Sequence, residues 1–472
     1  MKKLTSVFAL VFITASIFAQ SKFIGNWQGS VNVGKKLRLV FHVTPSGDTV
    51  ISTMDSPDQG VTGITCERTY IEKDSILFDM SNMGIEYAGE LKGDSIVGTW
   101  FQKGLKIAIT FYKTDKTAEL YRPQTPKPPF SYESEDVIYF NTDNSIQYGA
   151  TITKPMGKGP FPAVLLITGS GQQNRDEELF GHKPFAVIAD FLTKRGYLVM
   201  RVDDRGVDKS TGDYINATTL DFAGDVNTSI DYLKTRSEVN KNKIVLIGHS
   251  EGAIIAPMVA SKRKDIDAIV MMAGAGEKIS KLMLEQSAAI IESVQPDTEM
   301  IRDFKRLYKS MEDVVLNAKD SDDAKNKVTL TLDLWLKQVK PDMAREIGIT
   351  SNETKDQYIA SFTEMYTNPW LRYFLSMDPV PYLEHLSCKV LALGGSRDIQ
   401  VIAKSNLAGI KQALTKSKSK TYEVKELPGL NHLFQHCKTC TSGEYGELTE
   451  TIAPEALNMI GDWLDKNVKA GS

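Results

Sequence analysis

The chain has 472 residues, 56 basic and 59 acidic side chains, a formal charge of −3 and a hydrophobic fraction of 42%. That length exceeds one ordinary domain, and the composition is that of a globular protein rather than a disordered one. The near-balanced charge excludes the cationic excess that nucleic-acid binding needs.

Lys2 and Lys3 precede an apolar run from Leu4 to Phe18, and Ala19-Gln20 follow. A basic start, a short apolar stretch and a small residue make the pattern of a secretory signal peptide. Residues 1–19 are therefore expected to be cleaved after Ala19, with the protein secreted or periplasmic. No cysteine follows that site, which argues against a lipid anchor. The apolar run is short for a bilayer and no other run is long enough, so no membrane span is expected after cleavage.

Residues 20–118 show short apolar stretches broken by polar turns: Leu37–Val43, Ser75–Met80, Ser95–Phe101 and Lys106–Tyr112, with turn signals at Ser46-Gly47-Asp48, Lys73-Asp74 and Lys92-Gly93-Asp94. This spacing predicts an all-β barrel or sandwich. Gly25-Asn26-Trp27 resembles the Gly-x-Trp start of lipocalin-like barrels, as does Gly98-Thr99-Trp100, although either tryptophan equally serves to plug a small core. Nothing in this region carries chemistry. Residues 119–133 hold Pro123, Pro126, Pro128 and Pro129 and predict an extended linker.

Residues 134–472 follow a different pattern. Val137–Phe140 and Gln147–Thr153 form a hairpin pair, after which Ala163–Thr168, Tyr197–Asp203, Lys243–Gly248, Ile266–Ala273, Lys389–Gly394 and Thr421–Leu427 read as buried parallel strands. Helices fit at Pro184–Arg195, Leu220–Thr235, Ser250–Lys262 and Ala453–Lys466, predicting a doubly wound, mostly parallel α/β domain. Residues 277–375, with helix-like Ile301–Leu316 and Ala324–Val339, interrupt the strands and are expected to form an inserted helical cap.

Gly248-His249-Ser250-Glu251-Gly252 stands where an apolar strand gives way to a helix. A G-x-S-x-G turn at that junction presents a serine above the sheet. A serine hydroxyl needs a base, and the chain has six histidines. His432, in the loop after the last core strand, is the expected base, with His436 as fallback. Asp398, after Val390–Leu393, is the acid expected to orient it. The order Ser250, Asp398, His432 is one this chemistry uses. The oxyanion donors are expected to be the backbone N–H groups of Glu251 and Ser170, with Gly171 as the alternative. Arg205 in Asp204-Arg205-Gly206 is expected to fix its loop through a carboxylate, and Gln173-Asn174-Arg175-Asp176 to be chiefly structural.

Cys437 and Cys440 suggest a local loop-closing disulfide or two free thiols, and a zinc site would need ligands beyond His432 and His436. Cys66 and Cys388 are expected to be buried singly. No phosphate loop, zinc cluster or dinucleotide fingerprint appears, so no metal or cofactor is expected.

Thr168-Gly169-Ser170-Gly171, Asp204-Arg205-Gly206, the Ser250 pentapeptide, Gly395-Ser396-Arg397-Asp398 and Gly429-Leu430-Asn431-His432 together resemble the α/β-hydrolase superfamily. Within it, the chain resembles bacterial secreted esterases of the serine-aminopeptidase-like branch. The resemblance implies an α/β-hydrolase fold and hydrolysis of a small-molecule carboxylic ester. Aminopeptidase, amidase or thioesterase activity stands as the alternative, and an inert ligand-binding hydrolase fold as a third reading. Thr168 departs from the histidine many members carry, and residues before 134 lie outside the resemblance.

Overall fold

The structure is a computed structural model and describes residues 22–32, 36–47, 49–59, 61–102, 104–115, 121–294 and 297–469. The expected signal peptide, residues 1–19, and the start of the expected linker lie outside these. The chain divides into two compact units, one running to Arg122 and including Leu179–Gly181, the other formed by Pro123–Glu178 and His182 onwards.

The first unit is one antiparallel sheet of β1 (Gly25–Asn32), β2 (Lys36–Ser46), β3 (Thr49–Ser56), β4 (Val61–Thr65), β5 (Arg68–Glu72), β6 (Ser75–Met80), β7 (Ile85–Lys92), β8 (Ser95–Gln102) and β9 (Leu105–Thr114). Its order, β4-β3-β2-β1-β9-β8-β7-β6-β5, is an up-and-down meander in which the first strand also pairs with the last. The edge strands β4 and β5 are consecutive in the chain, and between them the Cys66 N–H reaches the Ser52 carbonyl at 2.9 Å. Alternating apolar positions place Trp27, Phe41, Phe78, Tyr87, Trp100 and Phe111 in one core. There Phe41 stacks on Phe78 at 3.8 Å between centroids, and Tyr87 meets Phe111 edge-on at 4.8 Å.

The second unit has an eight-stranded sheet of β10 (Glu133–Phe140), β11 (Gln147–Lys154), β12 (Phe161–Ile167), β13 (Leu198–Val202), β14 (Val239–His249), β15 (Ile266–Met272), β16 (Lys389–Gly395) and β17 (Tyr422–Leu427). The order is β10-β11-β13-β12-β14-β15-β16-β17. The hairpin β10–β11 is antiparallel and joins β13 antiparallel, while every later pairing is parallel. The central strands are Val, Ile, Leu and Ala runs buried on both faces, as parallel strands sheathed by helices must be. Those helices include α1 (Pro184–Lys194), α2 (Thr219–Thr235) and α3 (Gly252–Ala260). The proline-rich segment from Pro123 counts with this unit, where the Gln124 amide donates to the Ile452 carbonyl at 2.7 Å.

Between β15 and β16 the chain forms α4 (Ile279–Val294), α5 (Thr298–Leu316), α6 (Ser321–Leu336), α7 (Pro341–Glu346), α8 (Asn352–Thr367), α9 (Pro369–Ser376) and α10 (Val380–Glu384). The helices α11 (Ala403–Lys416) and α12 (Pro454–Leu464) follow β16 and β17. Side-chain caps start several of the inserted helices, with Asp297, Asp320, Ser351 and Asn368 each accepting a backbone N–H of the first turn. Cys437 and Cys440 form a disulfide, and Cys66 and Cys388 are buried free thiols. Among the described residues no helix is long and apolar enough to cross a membrane, and no group of metal-ligating side chains comes together.

Phe41 makes three ring contacts in the first core, with Phe78, Tyr87 and Phe111, so Phe41→Ala is expected to destabilise that unit by about 4 kcal/mol. Urea unfolding followed by tryptophan fluorescence measures it, and a loss under about 1 kcal/mol would contradict this account of the core.

Candidate active site

At the end of β14 the backbone turns abruptly, and Ser250 takes the left-handed conformation at φ +53°. Few non-glycine residues sit there without a reason, because the Cβ crowds the backbone. The turn is fixed by the Ser250 N–H donating to the Met272 carbonyl at 2.8 Å. Two glycines make it possible. A Cβ on Gly248 would stand 2.0 Å from the Gly252 carbonyl oxygen, and one on Gly252 would stand 2.2 Å from that of Ile167. The helix α3 then begins at Gly252, so the serine stands next to its N-terminal end.

His432 lies in the loop after β17, buried to 5% exposure. Its Nδ1 stands 2.8 Å from Asp398 Oδ2. The other oxygen of Asp398 accepts the N–H groups of Gln400 (2.7 Å) and Val401 (2.9 Å), so the carboxylate is aimed as well as buried. The loops carrying the two residues are laced together: Ser396 N–H reaches the Leu427 carbonyl and Arg397 N–H the Leu430 carbonyl, both at 2.9 Å. Among the described residues no hydrogen bond joins the Ser250 hydroxyl to His432; such bonds often close only once substrate is bound. The link between elbow and base runs instead through His249, whose ring stands 4.8 Å from that of His432.

Residues 183–340 match the family model described as serine aminopeptidase, S33. The elbow stands at the end of a central parallel strand, with Asp398 and His432 following β16 and β17. Over the matched residues the larger unit is similar to that family. The chain is 30% identical over 223 residues to Esterase EstD of Thermotoga maritima, covering 45% of this chain and 50% of that protein. It is 29% identical over 170 residues to the uncharacterized protein YfhR of Escherichia coli O157:H7, covering 35% of this chain and 54% of that protein. The chain thus spans about half the length of the curated relatives it matches. A solved esterase of Pyrococcus furiosus covers 72% of this chain at 16% identity with a TM-score of 0.42, over 92% of its own length.

In the larger unit the segment after β12 carries the expected oxyanion donor Ser170. Two acidic residues pin it. Asp204 accepts the Thr168 hydroxyl at 2.6 Å and the Gln173 N–H at 3.0 Å, and its own N–H donates back to the Gln173 carbonyl at 3.1 Å. Glu177, itself at φ +50°, accepts the Gly169 N–H at 2.7 Å. Among the described residues no protein acceptor takes the N–H of Ser170 or of Glu251. The alternative donor, Gly171, follows at φ +103°. The Glu251 side chain is buried and accepts from the Thr219 hydroxyl at 2.6 Å and from Trp370 Nε1 at 3.0 Å. It is paired rather than solvated, and it joins the elbow to α9.

The remaining histidines are engaged elsewhere. His436, the fallback base, is exposed and contacts Glu450 and Glu455 at 2.9 Å each instead of Asp398. His182 is buried against Thr451 and Tyr445, His385 contacts the Pro381 carbonyl, and His42 belongs to the first unit. Arg205 holds Asp225 through two bonds of 2.7 Å, and Arg175 holds the buried Asp203, so both arginines brace the loops around the serine. Sequence reasoning missed Glu177, Asp204 and Trp370 as partners of the site. No local spacing marks them, because each meets its partner only through the fold.

Burial pushes the Asp204 carboxyl up to about 8, opposed by the Thr168 and Gln173 hydrogen bonds and reinforced by Glu177 and Glu251. Burial likewise raises Glu251, against the hydrogen bonds from Thr219, Trp370 and Ser170. For Asp204 the folded state holds its proton more tightly than the unfolded chain does. The stability this gives is full below the unfolded value near 4 and is lost as pH rises towards 8. Asp204→Asn, which mimics the protonated acid, is expected to gain stability relative to the wild type between pH 4 and pH 8. Thermal unfolding across that range tests this, and parallel curves for the two proteins would contradict it.

Proposed function

We propose that the protein is a serine hydrolase that cleaves small carboxylic esters through an acyl-enzyme. The observation that carries this reading is the 2.8 Å contact of His432 with the buried Asp398, on loops beside a serine held at φ +53°. Ser250 Oγ attacks the acyl carbonyl as His432 Nε2 takes its proton, and Asp398 holds the Nδ1–H and stabilises the imidazolium. The N–H groups of Ser170 and Glu251 receive the oxyanion. His432 then protonates the leaving alcohol, and a water activated by the same histidine releases the acid. Every group this cycle uses belongs to the chain.

The similarity to Esterase EstD supports an ester as substrate. The description of the matched family model supports an aminopeptidase as the second reading. A thioester would use the same groups. Rates on acyl esters and on aminoacyl amides compared side by side separate the two readings. Helices α4–α10 are read as a cap over the serine, supported by the bond from Trp370 to Glu251. The first unit is read as a lipocalin-like barrel, supported by its single meandering sheet and buried Trp27. Export to the periplasm or beyond is proposed from residues 2–20, and N-terminal sequencing of the exported protein is expected to begin at Gln20.

Ser250→Ala and His432→Ala are each expected to lower kcat on short acyl esters by roughly a thousandfold or more, and Asp398→Asn by a comparable factor. A fluorophosphonate is expected to label the wild type and not Ser250→Ala. A Ser250→Ala enzyme that keeps most of its activity would refute the assignment.

A further inference from the structure

The residue before the nucleophile has a more specific place than packing. His249 is buried, and both of its ring nitrogens face oxygen acceptors. Nδ1 stands 3.0 Å from Glu177 Oε1 and Nε2 stands 3.0 Å from the His432 backbone carbonyl oxygen. A carbonyl oxygen can only accept, and the same Glu177 oxygen already accepts the Gly169 N–H at 2.7 Å. A neutral imidazole has one N–H and one lone pair, so it would set that lone pair against an oxygen. With Glu177 ionised, only the doubly protonated ring satisfies both contacts.

We propose that His249 is a buried imidazolium with Glu177 as its counter-ion, and that this pair is the positioning element that sets the oxyanion segment, the elbow and the base loop in register. The connection is continuous: Gly169 N–H to Glu177, Glu177 to His249, and His249 to the backbone of the base itself. The ionisable groups acting on the ring are Glu177 and, farther off, Asp398, with His432 beside it and the Phe434 ring edge closing the other side. Burial alone would lower the affinity of His249 for its second proton; Glu177 and the His432 carbonyl outweigh it, and the net direction is upward. Neither His249 nor Glu177 touches the reacting atoms, so both act through the groups they hold.

This inference rests on the serine-hydrolase reading for its effect on rate, but not for its charge state. The test uses the full chain labelled with 15N at histidine, with the His249 signals assigned from His249→Gln. At pH 7 both ring nitrogens of His249 are expected to be protonated. Glu177→Gln can keep an amide oxygen as the acceptor facing Gly169 and Nδ1 while removing the charge. In that variant one ring nitrogen is expected to lose its proton, and kcat to fall about tenfold with KM unchanged within about twofold. A single protonated nitrogen in the wild type overturns the proposal. Two protonated nitrogens with wild-type kcat in Glu177→Gln overturn the positioning role. A wild type that neither hydrolyses esters nor reacts with a fluorophosphonate overturns the hydrolase reading instead, while the nitrogen signals still decide the ion pair.

Discussion

Ser250 sits in a backbone conformation that its own side chain opposes, and the surrounding structure is arranged to hold it there. The left-handed turn at φ +53° costs on the order of 1–3 kcal/mol. What it gains is a hydroxyl lifted clear of the sheet at the end of a central strand. The compensation is distributed: the Met272 carbonyl takes the serine N–H, and the bare faces of Gly248 and Gly252 let α3 approach β12 and β14 to backbone contact. The parallel strands beneath are buried on both sides, so the turn stands on a rigid base.

Around this turn the protein uses buried carboxylates as fasteners. Asp204 ties Thr168 to Gln173 in the segment after β12, Glu177 ties Gly169 to His249 of the elbow, and Asp398 ties the loop of His432 to its own. Burying acids is costly unless every oxygen finds a partner. Here the hydrogen bonds from Thr168, Gln173, Gly169, Gln400 and Val401 offset that cost. The arginines work one layer out. Arg205 with Asp225 and Arg175 with Asp203 form close, partly buried pairs that fix the loops from which the acids project. The helices inserted between β15 and β16 join the same system through Trp370 and Glu251, so the side chain after Ser250 ties that insertion to the elbow.

The mostly parallel sheet of the larger unit, and the placing of Ser250, Asp398 and His432 at its strand ends, were legible in the sequence because both are local patterns. Buried Val/Ile/Leu runs alternating with amphipathic stretches specify strands and helices, and a glycine on each side of His249-Ser250-Glu251 specifies the turn. The all-β character of the first unit was legible for the same reason, from its turn residues and alternating strands, while its meander order was not. Arg205 was readable as a loop brace, and Asp398 and His432 by their place after the last two core strands. What the sequence alone left open was which partner each polar side chain would take. Cys437 and Cys440 read as thiols or a disulfide. Only the tertiary structure brought Thr219 and Trp370 to one carboxylate, and Glu177 and the His432 carbonyl to the two nitrogens of His249. Those pairings join residues 32 to 183 positions apart. Local propensity acts over a few residues, whereas a buried polar group is satisfied by whatever the packed sheet and loops bring within 3 Å of it.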